Sequence, residues 1–292
     1  MKLQGCMTAL VTPFRNGAID FEALERLVEA QVQAGVSALV PCGSTGEAAT
    51  LTHEEHAEVV RRVVRFANGR VPVIAGTGSN STAEAIALTQ AAKQAGASAA
   101  LLISPYYNKP TQEGIYQHYR AVAEATRFPL ILYNIPGRTA CKIEPATIAR
   151  LSELEEIVGL KDSTGSLDEL QDVLRLCGSR LSVLSGDDSL TLPILAVGGS
   201  GVISVASNLV PERCVAMVQA ALDGDWDKAR QLHFSLLPLY RALFLETNPI
   251  PIKAALSMVG LCSEELRLPL VPMSEPARSR LRAVLQDYDF RV

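Results

Sequence analysis

The sequence predicts an α/β protein, a (β/α)8 TIM barrel with a C-terminal helical extension. Three observations carry that expectation. Eight short apolar runs recur along the chain, segments of helical spacing separate them, and no phosphate-binding glycine loop follows the first run.

The runs are Met7–Val11, Ala38–Pro41, Val71–Ala75, Ala99–Ser104, Pro129–Tyr133, Ile157–Lys161, Leu181–Leu184 and Gly201–Val205. Each is nearly continuous in hydrophobicity, as parallel strands covered on both faces must be. Over the first half they begin about thirty residues apart, the length of a strand–helix–strand unit. Between them, residues such as Val60, Val63, Val64 and Ala67 repeat with helical spacing. Thr52-His53-Glu54-Glu55, Ser81-Thr82-Ala83-Glu84 and Ser166-Leu167-Asp168-Glu169 read as capping boxes that start helices. Gly35, Gly69, Gly96 and Gly178 stand where helices should end. An open doubly wound sheet would want G-x-G-x-x-G after its first strand, but Thr12-Pro13-Phe14-Arg15-Asn16-Gly17 occupies that place. After Pro211 the pattern reads as wholly helical to the end, through Trp226, Leu236-Leu237 and Ala254–Val259. The expected division is a barrel over residues 1–224 and a helical extension over 225–292.

Composition narrows the function. The 292 residues suit one barrel of roughly 250 residues plus an extension. A net charge of -4 with no basic stripe argues against nucleic acid and anionic membrane as partners. Met1-Lys2-Leu3-Gln4-Gly5 lacks the apolar stretch of a secretory leader, and no apolar run is long enough to span a bilayer, so a cytoplasmic location is expected. Cys6, Cys42, Cys141, Cys177, Cys214 and Cys262 are scattered singly, without a C-x-x-C pair, and read as buried packing residues. His53, His56, His118 and His233 form neither H-x-H nor H-E-x-x-H, so no metal is expected. Neither G-x-S-x-G nor a Walker loop occurs.

In such barrels the chemistry sits at the C-terminal strand ends. Lys161 ends the sixth run, where an ammonium is costly and burial favours the neutral amine that attacks carbonyls. A lysine leaving the strand to pair with Asp162 or a neighbouring glutamate is the bland alternative. Tyr133 ends the adjacent run and offers a phenol for proton transfer. Gly43-Ser44-Thr45-Gly46 supplies hydroxyls and amides suited to a small carboxylate, and Arg138 follows a Pro-Gly turn with a guanidinium able to hold one. From the residues alone, this is a lysine-based carbonyl enzyme with a carboxylate-bearing substrate.

Several longer motifs then coincide in order. Gly43-Ser44-Thr45-Gly46-Glu47, Pro105 to Gly114, Tyr133-Asn134-Ile135-Pro136-Gly137-Arg138-Thr139, Gly159-Leu160-Lys161-Asp162, Ser185-Gly186-Asp187-Asp188 and Glu246 to Lys253 resemble the 4-hydroxy-tetrahydrodipicolinate (dihydrodipicolinate) synthase family. The likeness runs from Gly5 to about Leu270. It implies that Lys161 forms an imine with pyruvate, with no separate cofactor, and that the enamine attacks L-aspartate 4-semialdehyde. Tyr133 would act as acid and base in a hydroxyl relay with Ser44 and Tyr107, the latter reaching across a dimer interface. Thr45, Gly186 and Ile203 would line the pyruvate pocket, and Arg138 would clamp the semialdehyde carboxylate. His53, His56, Asn80, Glu84 and Tyr106 match positions that bind a lysine effector in sensitive members, and a homotetramer built as a dimer of dimers is implied. Ser44 departs from the more frequent threonine, losing the methyl that restricts its rotamer. Ala48 stands where a serine often joins the effector pocket.

Two rivals share parts of this pattern. N-acetylneuraminate or 2-keto-3-deoxy sugar acid lyases keep the barrel, lysine and tyrosine but lack the Arg138 context. A non-catalytic barrel that senses pyruvate or lysine would have little need of Lys161, Tyr133, Ser44 and Tyr107 together.

Overall fold

The computed structural model describes residues 3–288 and residue 290. Met1, Lys2, Asp289, Arg291 and Val292 lie outside the described residues, and with them both outer ends of the expected division.

Eight parallel strands form the barrel: β1 (Gly5–Ala9), β2 (Ala38–Val40), β3 (Ile74–Gly76), β4 (Ala99–Ile103), β5 (Leu130–Asn134), β6 (Ile157–Asp162), β7 (Ser182–Ser185) and β8 (Gly201–Ser204). Their order is β2-β1-β8-β7-β6-β5-β4-β3, and a parallel bridge between Leu39 and Val73 closes the ring. Leu39 N donates to the Pro72 carbonyl at 3.0 Å, and Gly76 N to that of Pro41 at 2.9 Å. β2, β3, β4 and β8 are shorter than their apolar runs, β6 is one residue longer, and β1, β3, β5 and β7 are offset from theirs by one to three residues. Beyond the strands the runs continue into flanking residues that are also buried, such as Leu10, Val11, Val73 and Val205, so hydrophobicity alone does not mark the strand ends. Where β1 and β8 pair, Gly5 faces Gly201, and a Cβ at Gly201 would overlap the Gly5 carbonyl.

Each strand is followed by its covering helix: α1 (Phe21–Gln33), α2 (His53–Ala67), α3 (Thr82–Gln94), α4 (Gln112–Thr126), α5 (Pro145–Leu151), α6 (Leu167–Cys177), α7 (Thr191–Ala196) and α8 (Pro211–Leu222). Of the three expected capping boxes, only Thr52 with Glu55 is complete. Ser81 and Ser166 cap their helices by accepting from the third backbone N–H, but the glutamates turn elsewhere. Glu84 bonds Ser79 and His53, and Glu169 pairs with Lys142. Gly35, Gly69, Gly96 and Gly178 all adopt positive φ at helix ends, as expected.

Beyond α8 come α9 (Trp226–Ala242), α10 (Ile250–Met258) and α11 (Glu275–Gln286). The expectation of continuous helix fails here. Gly260, at φ 77°, ends α10, and the segment from Leu261 to Met273 is an irregular strap containing Pro269 and Pro272. Prolines remove backbone donors and exclude helix from the residues before them. These helices share one buried cluster with α8, in which Leu236, Leu239, Ile252, Leu256 and Leu281 pack with Met217. Five of the six cysteines are buried as expected, while Cys262, in the strap, is half-buried. No helix among the described residues is long and apolar enough to cross a membrane.

Two buried polar groups pin the upper rim. Lys253 of α10 and Glu47 of the loop after β2 are both fully enclosed. Lys253 Nζ donates to Glu47 Oε1 at 2.6 Å and to the Thr12 carbonyl at 3.0 Å, and lies 4.3 Å from the centre of the Phe14 ring. Glu47 Oε2 also accepts from Arg267 N at 3.1 Å, which ties the strap to the same point. At the end of β6, Asp162 Oδ1 accepts from Thr164 N and Oγ1 at 3.1 and 2.8 Å, and burial pushes its carboxyl up to about 6.

Removing one member of a buried pair strands the other charge. Glu47→Ala should therefore cost about 3–5 kcal/mol in denaturant unfolding at fixed protein concentration. The double change with Lys253→Met should recover part of that loss. A loss for Glu47→Ala below about 1 kcal/mol, the value of an exposed pair, would contradict the burial argument. For Asp162 the folded state holds its proton more tightly than the unfolded chain, so its contribution to stability is lost as pH rises from about 4 through 6. Asp162→Asn lacks that loss. Its stability relative to wild type should rise by roughly 2–3 kcal/mol between pH 4 and pH 7, and a pH-independent difference would contradict the account.

Candidate active site

Parallel pairing of β5 with β6 sets Tyr133 beside Lys161 and Asn134 beside Asp162. Because paired residues on adjacent strands face the same side, both long side chains enter the barrel mouth together. Lys161 is 5% exposed and Tyr133 is 6% exposed, with Lys161 Nζ 4.2 Å from the centre of the tyrosine ring. Among the described residues Lys161 forms no ion pair with Asp162 or with any glutamate, so the bland alternative is not what the geometry shows. Gly186, at the end of β7, makes room for it: a Cβ there would overlap Ser163 Oγ and sit 3.0 Å from Lys161 Cε. Burial raises the neighbouring Asp187 carboxyl, and the charge of Lys161 opposes that rise.

The loop after β2 brings up the hydroxyls. Thr45 is buried and Ser44 half-buried, and Ser44 lines a cavity of about 320 Å³ together with Tyr133. Arg138 lies on the one-turn helix Pro136–Thr139 after β5, exposed to solvent, with Nη2 donating to the Asn248 carbonyl at 2.7 Å. Asn248 Nδ2 in turn donates to Thr45 Oγ1 at 2.9 Å. Ile203, fully buried on β8, joins the inner-barrel cluster that also contains Tyr133 and Leu184. The loop beyond it is held by Asp188, which accepts from Val205 N and Ala206 N at 3.0 Å each.

Two of the expected residues are not brought in. Tyr107 is 88% exposed at φ 73° and does not line the cavity. Asn80 meets its surroundings through its backbone, where its carbonyl accepts from Asn108 Nδ2 at 2.9 Å, and it does not line the cavity.

The remaining effector candidates share the cavity with two of the catalytic ones. His53, His56, Glu84 and Tyr106 line the space that Ser44 and Tyr133 also line, whereas Lys161, Thr45, Arg138, Gly186 and Ile203 are not among its lining residues. His53 Nε2 lies 2.9 Å from Glu84 Oε1, while Glu84 Oε2 accepts from Ser79 Oγ. His56 Nε2 donates to the Gly76 carbonyl at 2.7 Å, and burial lowers the basicity of that ring. Among the described residues no cluster of His, Cys, Asp and Glu is arranged to hold a metal ion.

Sequence reading passed over Asn248, Glu47 and Lys253 as individuals, although Glu246 to Lys253 stood among the matched motifs. A local signal existed in the polar Thr247-Asn248 pair set before the apolar start of α10.

Comparison with known proteins agrees with this fold. The model of the dihydrodipicolinate synthetase family matches residues 2–288. The 4-hydroxy-tetrahydrodipicolinate synthase of Pelobacter propionicus is 52% identical over 285 residues, covering 98% of each chain. The crystal structure of dihydrodipicolinate synthase from Aquifex aeolicus superposes with a TM-score of 0.98 at 49% identity, covering 99% of each chain. The enzyme from Cyanidioschyzon merolae, solved with lysine bound, gives a TM-score of 0.95 at 40% identity over 98% of each chain. The motif resemblance and the barrel lead to the same place, and this chain belongs to the dihydrodipicolinate synthetase family.

Proposed function

We propose that this chain condenses pyruvate with L-aspartate 4-semialdehyde through an imine on Lys161. The observation that carries the reading is a nearly enclosed lysine whose amine lies 4.2 Å from the ring centre of Tyr133, at the active end of a barrel. The Lys161 amine adds to C2 of pyruvate, and loss of water from the carbinolamine leaves the protonated imine. That imine is the electron sink, so the chemistry needs no external cofactor. Loss of a methyl proton gives the enamine, which forms the carbon–carbon bond to the aldehyde. The amino group of the second substrate then displaces Lys161 as the ring closes, returning the free amine. Tyr133 serves as acid and base, with Ser44 as its relay and Tyr107 supplied from a neighbouring subunit. Thr45, Gly186 and Ile203 form the pyruvate pocket, and Arg138 holds the carboxylate of the aldehyde.

On the same reading the working form is a cytoplasmic homotetramer, and His53, His56, Glu84 and Tyr106, with Asn80 at their edge, receive a lysine effector. The lysine-bound relative supports that assignment, as does the carboxylate of Glu84, which suits an amino group. The division at residues 224 and 225 then separates the barrel from an extension that lends it Asn248 and Lys253.

Intact mass after pyruvate and sodium borohydride tests the mechanism. Wild type should gain one reduced pyruvate, Lys161→Ala should gain none, and wild type should turn over aspartate 4-semialdehyde in parallel. An adduct without that turnover would move the assignment to a sugar-acid lyase. No adduct on folded protein would leave only a pyruvate or lysine sensor.

A further inference from the structure

Asn248 precedes α10, is 6% exposed, and is the one residue among the described residues that hydrogen-bonds both candidate carboxylate-binding side chains. Its backbone carbonyl accepts from Arg138, and its side-chain amide donates to Thr45 Oγ1. Its Oδ1 is buried and meets no partner among the described residues. A hydroxyl has one proton to give and lone pairs to receive, whereas an amide nitrogen only donates. Thr45 Oγ1 is therefore the acceptor in this contact and keeps its proton for another group. It makes no other hydrogen bond among the described residues.

We propose that Asn248 is a positioning residue that sets the hydrogen-bond polarity of Thr45, holding its hydroxyl as a donor toward the carboxylate of the bound keto acid. The inference rests on the reading of Thr45 as a carboxylate-binding residue. The unpaired Oδ1 belongs to the same arrangement. Turning the amide over would place that acceptor against Thr45 and draw away the proton the substrate needs. Because Arg138 is held by the backbone carbonyl, side-chain changes at residue 248 leave that contact in place and isolate the effect on Thr45.

Asn248→Asp keeps the shape and reverses the polarity, while Asn248→Ala removes the donor and some volume. The measurement is the pyruvate concentration that half-saturates borohydride trapping, together with KM for each substrate, on full-length protein whose fold is checked by thermal unfolding. Asn248→Asp should raise the half-saturating pyruvate about tenfold or more, and Asn248→Ala by less, with KM for the aldehyde changed least. A packing role would reverse the order, since only alanine opens a void. That order, or an Asn248→Asp protein that binds pyruvate like wild type, overturns the inference. If Asn248→Asp fails to fold, Asn248→Ala decides: a rise confined to pyruvate supports the inference, and equal rises for both substrates or none overturn it. Thr45→Val separates the two levels. Weakened trapping there with none in Asn248→Asp sinks the inference alone, and unchanged trapping in Thr45→Val sinks the role of Thr45 and the inference together.

Discussion

Lys161 leaves the end of β6 with almost none of its surface in water, and its neighbours are arranged around that amine. Parallel register with β5 puts a phenol ring against it, and at Gly186, just after β7, a Cβ would overlap Ser163 Oγ and come within 3.0 Å of its Cε. Asp187, on the following loop, has its carboxyl raised by burial and is countered by the same lysine. One strand-end side chain thus constrains residues from three consecutive strands. A barrel is the architecture that can do this, since its strand ends converge on one mouth while its helices remain outside.

The rim is held by contacts of a different kind. Glu47 and Lys253 meet across 206 positions of sequence, and Asn248 and Thr45 across 203. Both contacts join the loop after β2 to the entry of α10, so the extension braces the rim where Ser44 and Thr45 stand. Buried pairs of this sort are costly to break and specify one geometry when intact. The strap after α10 adds Arg267, which bonds Glu55 through both guanidinium nitrogens at 2.6 Å and holds that carboxyl down at about 2. The loop that carries the hydroxyls is therefore anchored from below by β2 and from the side by three elements of the C-terminal region.

How much of this the sequence discloses follows from the range of each interaction. Strands buried on both faces announce themselves as continuous apolar runs, and helix starts by Thr52, Ser81 and Ser166, because those signals are local. The neighbourhood of Lys161 and Tyr133 is legible for the same reason, as consecutive strands of a barrel are adjacent. Asn248 is not legible as a partner of Thr45, since nothing local records where α10 packs. Helical continuity past Gly260 is misread because the strap's leucines pack on the extension while its prolines forbid helix. Glu84 is misread as a cap because its carboxylate finds Ser79 and His53, and it thereby joins the wall of the cavity.

The central claim is that one enclosed amine at the end of β6 makes a covalent bond to a keto acid held by the loop after β2. A crystal structure of the protein soaked in pyruvate examines it most directly. The account predicts continuous density from Lys161 Nζ to the keto carbon, with the carboxylate against Thr45. Pyruvate bound elsewhere, or lying in the mouth without a bond to Lys161, would contradict it.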